Sequence, residues 1–397
     1  MKKKLFIISA IVALTLSACS SNNNESGTTN SPTETTTNTT TVESSTEETT
    51  SEDTTTKELS TEEFTTEEQI LSEMTLEEKI GQLFILRPET LEANPTYEVG
   101  GVCMFVDNIT SPSQITSYID TLQTNANTPM FIAVDEEGGL VARIANSDSF
   151  NVTRYESMEA IGSTGNPNEA KAVGITIGSY LAEYGFNLDF APVADVNTNP
   201  DNIVIGNRAF GSDPHLVSSM VDAAVEGFNS TGVMCCVKHF PGHGDTTGDT
   251  HDGYVSITKN WDELKECELI PFISAIENEV DTIMVAHITT PNITSDNLPA
   301  SMSYEMVTGK LRNELGYNGV VITDAMEMGA IANHYNSADG AVTAINAGVD
   351  IILMPQNFLE AYNGIYEAVT NGEISEDRID ESVLRILRLK RKYGLLE

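Results

Sequence analysis

Eight short runs of consecutive apolar residues recur along the chain, at residues 83–86, 100–106, 129–134, 188–193, 233–237, 282–286, 319–322 and 350–354. Runs of this length without polar alternation predict strands buried on both faces, as in a parallel sheet covered by helices. The segments between them fit helices. Ile115, Ile119 and Leu122 recur at helical spacing within 113–124, and 170–184 and 341–347 are further helical stretches. Thr75-Leu76-Glu77-Glu78 has the form of a capping box. A last helix follows Ser375, with Glu376 and Asp377 in its first turn and Ile379, Val383, Ile386 and Leu387 on one face. It ends in Lys390-Arg391-Lys392, with Gly394 as its C-terminal cap. Alternating strands and helices fit either an open doubly wound sheet or a closed (β/α)8 barrel of the TIM type. Eight runs favour the barrel. So do Asp135, Lys238-His239, His287 and Asp324, which all follow strand ends. In a barrel those ends ring one mouth; along an open sheet edge they could not converge. The expectation is an α/β (β/α)8 barrel over residues 70–397.

The first 69 residues read differently. Met1-Lys2-Lys3-Lys4 precedes an apolar run ending at Leu16, then Ser17-Ala18-Cys19. A basic start, a short apolar stretch and small residues describe a secretory signal over 1–18, too short to span a bilayer. Cys19 after Leu-Ser-Ala resembles a bacterial lipobox, which implies lipidation of Cys19. Residues 19–69 are nearly all Ser, Thr, Asn and Glu, too polar to bury a core, and are expected to form a disordered tether. The protein is thus expected at the extracytoplasmic face of the cell membrane, held by a lipid anchor. A formal net charge of -38 argues against nucleic-acid partners. Of the five cysteines, Cys103, Cys235, Cys236 and Cys267 are expected to be buried thiols, since no disulfide framework or Cys-x-x-Cys zinc pattern is present.

Candidate chemistry concentrates in residues 237–251, which hold three of the six histidines. Asp249 and His251 are spaced so that a carboxylate can hold an imidazole N–H, fixing its tautomer and tuning its basicity. Asp324 reads either as a helix N-cap or as a carboxylate nucleophile. Asp135, Arg143, Arg208, Lys238 and His239 each have an ordinary salt-bridge reading. Together they supply donors and acceptors suited to sugar hydroxyls. The set suggests acyl or glycosyl transfer. His239, His243, Asp245, Asp249 and His251 could also offer metal ligands, but their spacing matches no zinc motif, and no Walker or Rossmann loop is present. No metal and no cofactor are expected.

The stretch from Lys238 to Asp245 and on through Asp249-Thr250-His251 resembles the signature of the bacterial β-N-acetylhexosaminidases of glycoside hydrolase family 3. Residues 74–82, 135–139, 207–211 and 323–326 and the last helix agree with it. The resemblance implies retaining hydrolysis of terminal β-linked N-acetylglucosamine, with peptidoglycan fragments as the substrates. It places Asp324 as nucleophile, His251 as acid/base and Asp249 as its partner, and puts Asp135, Arg143, Arg208, Lys238 and His239 at substrate-binding positions. Thr250 departs from the Ser more often found there. Some members carry a second α/β domain, and a single barrel is expected here. β-Glucosidase or β-xylosidase activity, phosphorolysis, a metal-dependent hydrolase and a non-catalytic sugar-binding lipoprotein are the competing readings.

Overall fold

Strands with no wet face need partners on both edges and a layer on both sides, and closure into a barrel supplies both. The computed structural model describes residues 65–251, 253 and 255–397. The leader, Cys19 and the tether up to residue 64 lie outside the described residues.

Eight strands form the barrel: β1 (Phe84–Leu86), β2 (Gly101–Met104), β3 (Phe131–Val134), β4 (Leu188–Asp189), β5 (Met234–Phe240), β6 (Thr282–Val285), β7 (Val320–Thr323) and β8 (Ile352–Leu353). All pair in parallel and in chain order from β1 to β7, and β8 pairs with β1. A bridge between Ile322 and Ile351 joins β7 to the start of β8 and closes the ring. The expected (β/α)8 architecture is therefore present. Phe84, Phe131, Ile132, Val237, Ile283 and Ile322 are fully buried in it. Each such side chain contributes about 1.5–3 kcal/mol on burial.

Helices Pro112–Asn125, Pro167–Tyr184, Pro214–Asn229, Ile270–Glu277 and Ser337–Ala347 lie between strands. The Thr75 capping box forms, with Thr75 Oγ1 accepting the Glu78 N–H and Glu78 accepting the Thr75 N–H. The last helix runs Glu376–Lys392.

Three details differ from the sequence reading. The folded part begins before residue 70: Thr66–Glu73 is a helix with its own capping box, Thr65 with Glu68. It carries little apolar surface, so composition merges it with the tether. It is held partly by ion pairs to the last helix, with Arg391 Nη1 2.8 Å from Glu67. Second, β5 continues through Lys238, His239 and Phe240, so the two polar residues sit on the strand rather than beyond it. Third, β4 and β8 are only two residues long; the polypeptide at those edges leaves the ladder early to form the mouth.

Candidate active site

The C-terminal ends of the strands open on a cavity of about 580 Å³. Asp135, Arg143, Arg208, Lys238, His239, His251 and Asp324 all line it. Asp249 stands behind His251.

Neighbouring residues on a strand normally point to opposite faces. Lys238 and His239 nevertheless both line the cavity. The register of β5 on β6 steps from Val237↔Ile283 to Phe240↔Val285, three residues against two. That extra residue is a bulge, the local feature that re-aims a side chain.

Lys238 is buried and would be costly there without partners. Its Nζ lies 2.7 Å from Asp135 Oδ1 and 2.7 Å from Glu137 Oε1. Glu137 also receives Arg208 through Nε (2.8 Å) and Nη2 (2.6 Å). Arg143 reaches Asp135 at 3.4 Å. Burial pushes the Glu137 carboxyl up, but Arg208 and Lys238 outweigh it and hold it far below the usual carboxylate range. Burial likewise opposes the charge on Lys238, and Asp135 and Glu137 raise its pKa above the ordinary lysine value.

A second buried carboxylate, Asp195, organises the histidines. Its Oδ2 is 2.7 Å from His239 Nδ1, and its Oδ1 accepts the His243 N–H at 2.6 Å. His243 Nδ1 meets Thr246 Oγ1 at 2.7 Å. Burial lowers the His243 pKa. Gly244 passes so close to β4's loop that a Cβ there would lie 1.9 Å from the Val196 carbonyl oxygen. Only glycine fits this crossing.

Asp249 Oδ1 accepts the His251 N–H at 2.8 Å and lies 2.7 Å from His251 Nδ1. Burial opposes ionisation of Asp249, but the two His251 N–H groups hold its pKa below the usual range. With Nδ1 so occupied, Nε2 is left for chemistry. The loop also folds back onto the segment after β7: Gly329 N–H donates to the His251 carbonyl (3.1 Å) and Ala330 N–H to the Thr250 carbonyl (3.0 Å). Asp324 lies on that segment. Burial alone would raise its pKa, yet the charge of His239 and the Ala325 N–H hold it below the ordinary value.

The remaining wall was not singled out by the sequence reading. Arg87, after β1, pairs with Glu327, after β7, its Nε 3.1 Å from both carboxylate oxygens. Its guanidinium lies 4.0 Å over the Phe105 ring. Of the ligands weighed for a metal, Asp245 pairs with Lys259 at 3.1 Å and with Thr198. Among the described residues no group of three His, Cys, Asp or Glu is placed to hold a metal ion. Cys103, Cys235 and Cys236 are buried free thiols, and Cys267 is half-buried.

Glu137 and Asp195 were legible by alternation and by context. Glu137 is two residues from Asp135, hence on the same face. Asp195 interrupts an apolar stretch at 190–196, where an unpaired acid would be expensive. Arg87, Glu327 and Phe105 carry no such signal, because their meeting depends on three loops.

Residues 75–389 match the family model described as the glycosyl hydrolase family 3 N terminal domain. A beta-hexosaminidase A from Pseudoalteromonas piscicida is 36% identical over 332 residues, covering 77% of this chain and 56% of that protein. A beta-N-acetylglucosaminidase/beta-glucosidase from Cellulomonas fimi is 30% identical over 335 residues, covering 80% of this chain and 58% of that one. A solved glycoside hydrolase family 3 beta-N-acetylglucosaminidase from Paenibacillus sp. str. FPU-7 superposes with a TM-score of 0.77 at 38% identity, covering 81% of this chain and 63% of that one. The chain thus spans less than two thirds of the length of these relatives.

Proposed function

Because this chain belongs to glycosyl hydrolase family 3, we propose that it is a retaining exo-β-N-acetylglucosaminidase. One observation carries the reading: a single cavity holds an ionised carboxylate, Asp324, and an imidazole, His251, whose Nδ1 is held by Asp249. The relatives' names support the sugar. In the first step Asp324 attacks the anomeric carbon, the bond to the leaving oxygen breaks, and His251 gives that oxygen its Nε2 proton. In the second step His251 takes a proton from water, the water oxygen attacks the same carbon, and the bond to Asp324 breaks. Two inversions leave the configuration retained. Asp249 fixes the tautomer of His251 throughout. Asp135, Arg143, Arg208, Lys238 and His239 hold the sugar hydroxyls. The natural substrates are peptidoglycan fragments, and Cys19 anchors the enzyme at the outer face of the membrane, as the leader and tether sequence suggest.

A second reading is β-glucosidase activity, favoured by the double name of the Cellulomonas relative. Matched aryl β-N-acetylglucosaminide and β-glucoside substrates, each with and without phosphate, separate hydrolysis of the amino sugar from both the glucosidase and the phosphorolysis readings. Asp324→Ala removes most turnover, and His251→Ala lowers it roughly 10²–10⁴-fold on a poor leaving group. Near-normal turnover by Asp324→Ala refutes the assignment.

A further inference from the structure

Among the described residues, one buried histidine touches the segment that carries Asp324 and has no part in the steps above. His287 follows β6 and is fully buried. Both ring nitrogens are engaged: Nε2 lies 3.0 Å from the Ala325 carbonyl oxygen and Nδ1 2.7 Å from Ser301 Oγ. A carbonyl can only accept, so Nε2 carries the proton and Nδ1 accepts from the Ser301 hydroxyl. Ser301 is itself fully buried, and its N–H donates to the Ala286 carbonyl at 3.2 Å. Burial lowers the His287 pKa, which favours this neutral form despite the nearby Asp324.

On the other side of the contact lies the turn after β7. Ala325 N–H donates to Asp324 Oδ1 at 2.8 Å. Asp324 N–H donates to the Val285 carbonyl of β6 (2.9 Å), and Met326 N–H to the Leu353 carbonyl of β8 (2.9 Å). The Ala325 carbonyl takes the Met328 N–H (3.0 Å) and His287 Nε2. The turn is thus tied by backbone to β6 and β8, by the Glu327 side chain to Arg87 after β1, and by His287 to the end of β6 beside it. We infer that His287 is a positioning residue for Asp324: through the Ser301–His287–Ala325 chain it fixes the turn whose N–H orients the attacking carboxylate. The inference rests on the reading of Asp324 as nucleophile.

The test compares His287→Phe, which keeps the ring and loses the donor, with His287→Gln, whose amide can donate to the same carbonyl. A misplacement of about 1 Å at a reacting atom costs ~100-fold in rate. His287→Phe therefore lowers kcat ~100-fold with KM within about twofold, and slows formation of the glycosyl-enzyme, read as the burst of released aryl alcohol. His287→Gln recovers at least tenfold of that loss. The active fraction is titrated with a slow fluorinated glycoside that labels Asp324. Wild-type kcat per labelled site in the Phe variant, or no recovery in the Gln variant, overturns the inference. If the Phe variant fails to fold, Ser301→Ala decides. It removes the hydroxyl on Nδ1 and is expected to lower kcat severalfold at constant KM, and an unchanged kcat overturns the inference. The comparison uses whichever aryl β-glycoside the parent cleaves. A wrong sugar thus refutes the activity reading and leaves the His287 comparison to be decided on its own numbers.

Discussion

Replacing Glu137 with Gln tests the charge network that lines the cavity. Glu137 receives three donors: Arg208 Nε at 2.8 Å, Arg208 Nη2 at 2.6 Å and Lys238 Nζ at 2.7 Å. The parent network sets Lys238, Arg208 and Arg143 against Asp135 and Glu137. The amide leaves those three cations facing one carboxylate, and its NH2 would meet a donor. Breaking a buried pair by removing one partner typically costs 3–5 kcal/mol, and the donor–donor contact argues for the middle of that range or above, about 4 kcal/mol. That is roughly a thousandfold in the folding equilibrium. Urea unfolding checks it as a lower midpoint at unchanged slope. The sign with pH follows from the depressed folded pKa of Glu137. Its stabilisation is complete above the unfolded value of about 4.3 and is lost as pH falls through the folded value. The gap between parent and variant therefore holds above about pH 5 and narrows only in stronger acid. Adding Arg208→Met removes the orphaned cation, and the double variant should recover about 2 kcal/mol relative to the sum of the singles. A Gln variant within 1 kcal/mol of the parent, or strictly additive singles, would refute the account.

Asp249→Asn keeps an acceptor for the His251 N–H groups and loses the charge. A charge-assisted hydrogen bond exceeds a neutral one by about 1 kcal/mol, so kcat/KM should fall ~5–10-fold on poor leaving groups and hardly at all on an activated aryl glycoside. An equal loss on both series would count against the dyad. Lys390 is fully buried and donates to Gln82 Oε1 at 2.7 Å, and burial pushes its pKa down to about 7. The unfolded lysine titrates near 10.4, so stability falls as pH drops from there through 7. Lys390→Met should raise the melting temperature at pH 6, by roughly 5 kcal/mol of stability before any packing loss, with the advantage fading towards pH 10. No fading with pH would contradict the linkage.

How far the sequence reached depended on whether a feature was local. Strand runs, the Thr75 box and the last helix are set by neighbours within a few residues, and they formed where the pattern placed them. Polar residues after strand runs predicted a shared mouth, and Asp135, Lys238, His239 and Asp324 line one cavity, whereas His287, expected there as well, is fully buried and does not line it. The bulge that turns both Lys238 and His239 inward was not legible, since it depends on the register of β5 against β6. The Arg87–Glu327 pair joins segments 240 residues apart, and neither residue stands in a pattern that marks it.

The acids at 135–137 show the limit of reading residue types without directions. Alternation sends Asp135 and Glu137 one way and Glu136 the other. Asp135 and Glu137 meet Lys238, and Glu137 stays ionised. Glu136, fully buried, pairs with no cation among the described residues. It accepts the N–H groups of Ile144 (2.8 Å) and Ala145 (2.7 Å) and the Tyr180 hydroxyl (2.8 Å), and burial still pushes its pKa up. Asp189, at the end of β4, accepts the Glu136 N–H at 2.9 Å and is raised further by burial. Beneath the charged mouth there are therefore two buried carboxyls whose pKa burial raises. Their work is to fix the backbone: Glu136 closes the loop that carries Arg143, and Asp189 anchors the residue between Asp135 and Glu137. The charges that line the cavity are held in place by acids that face away from it.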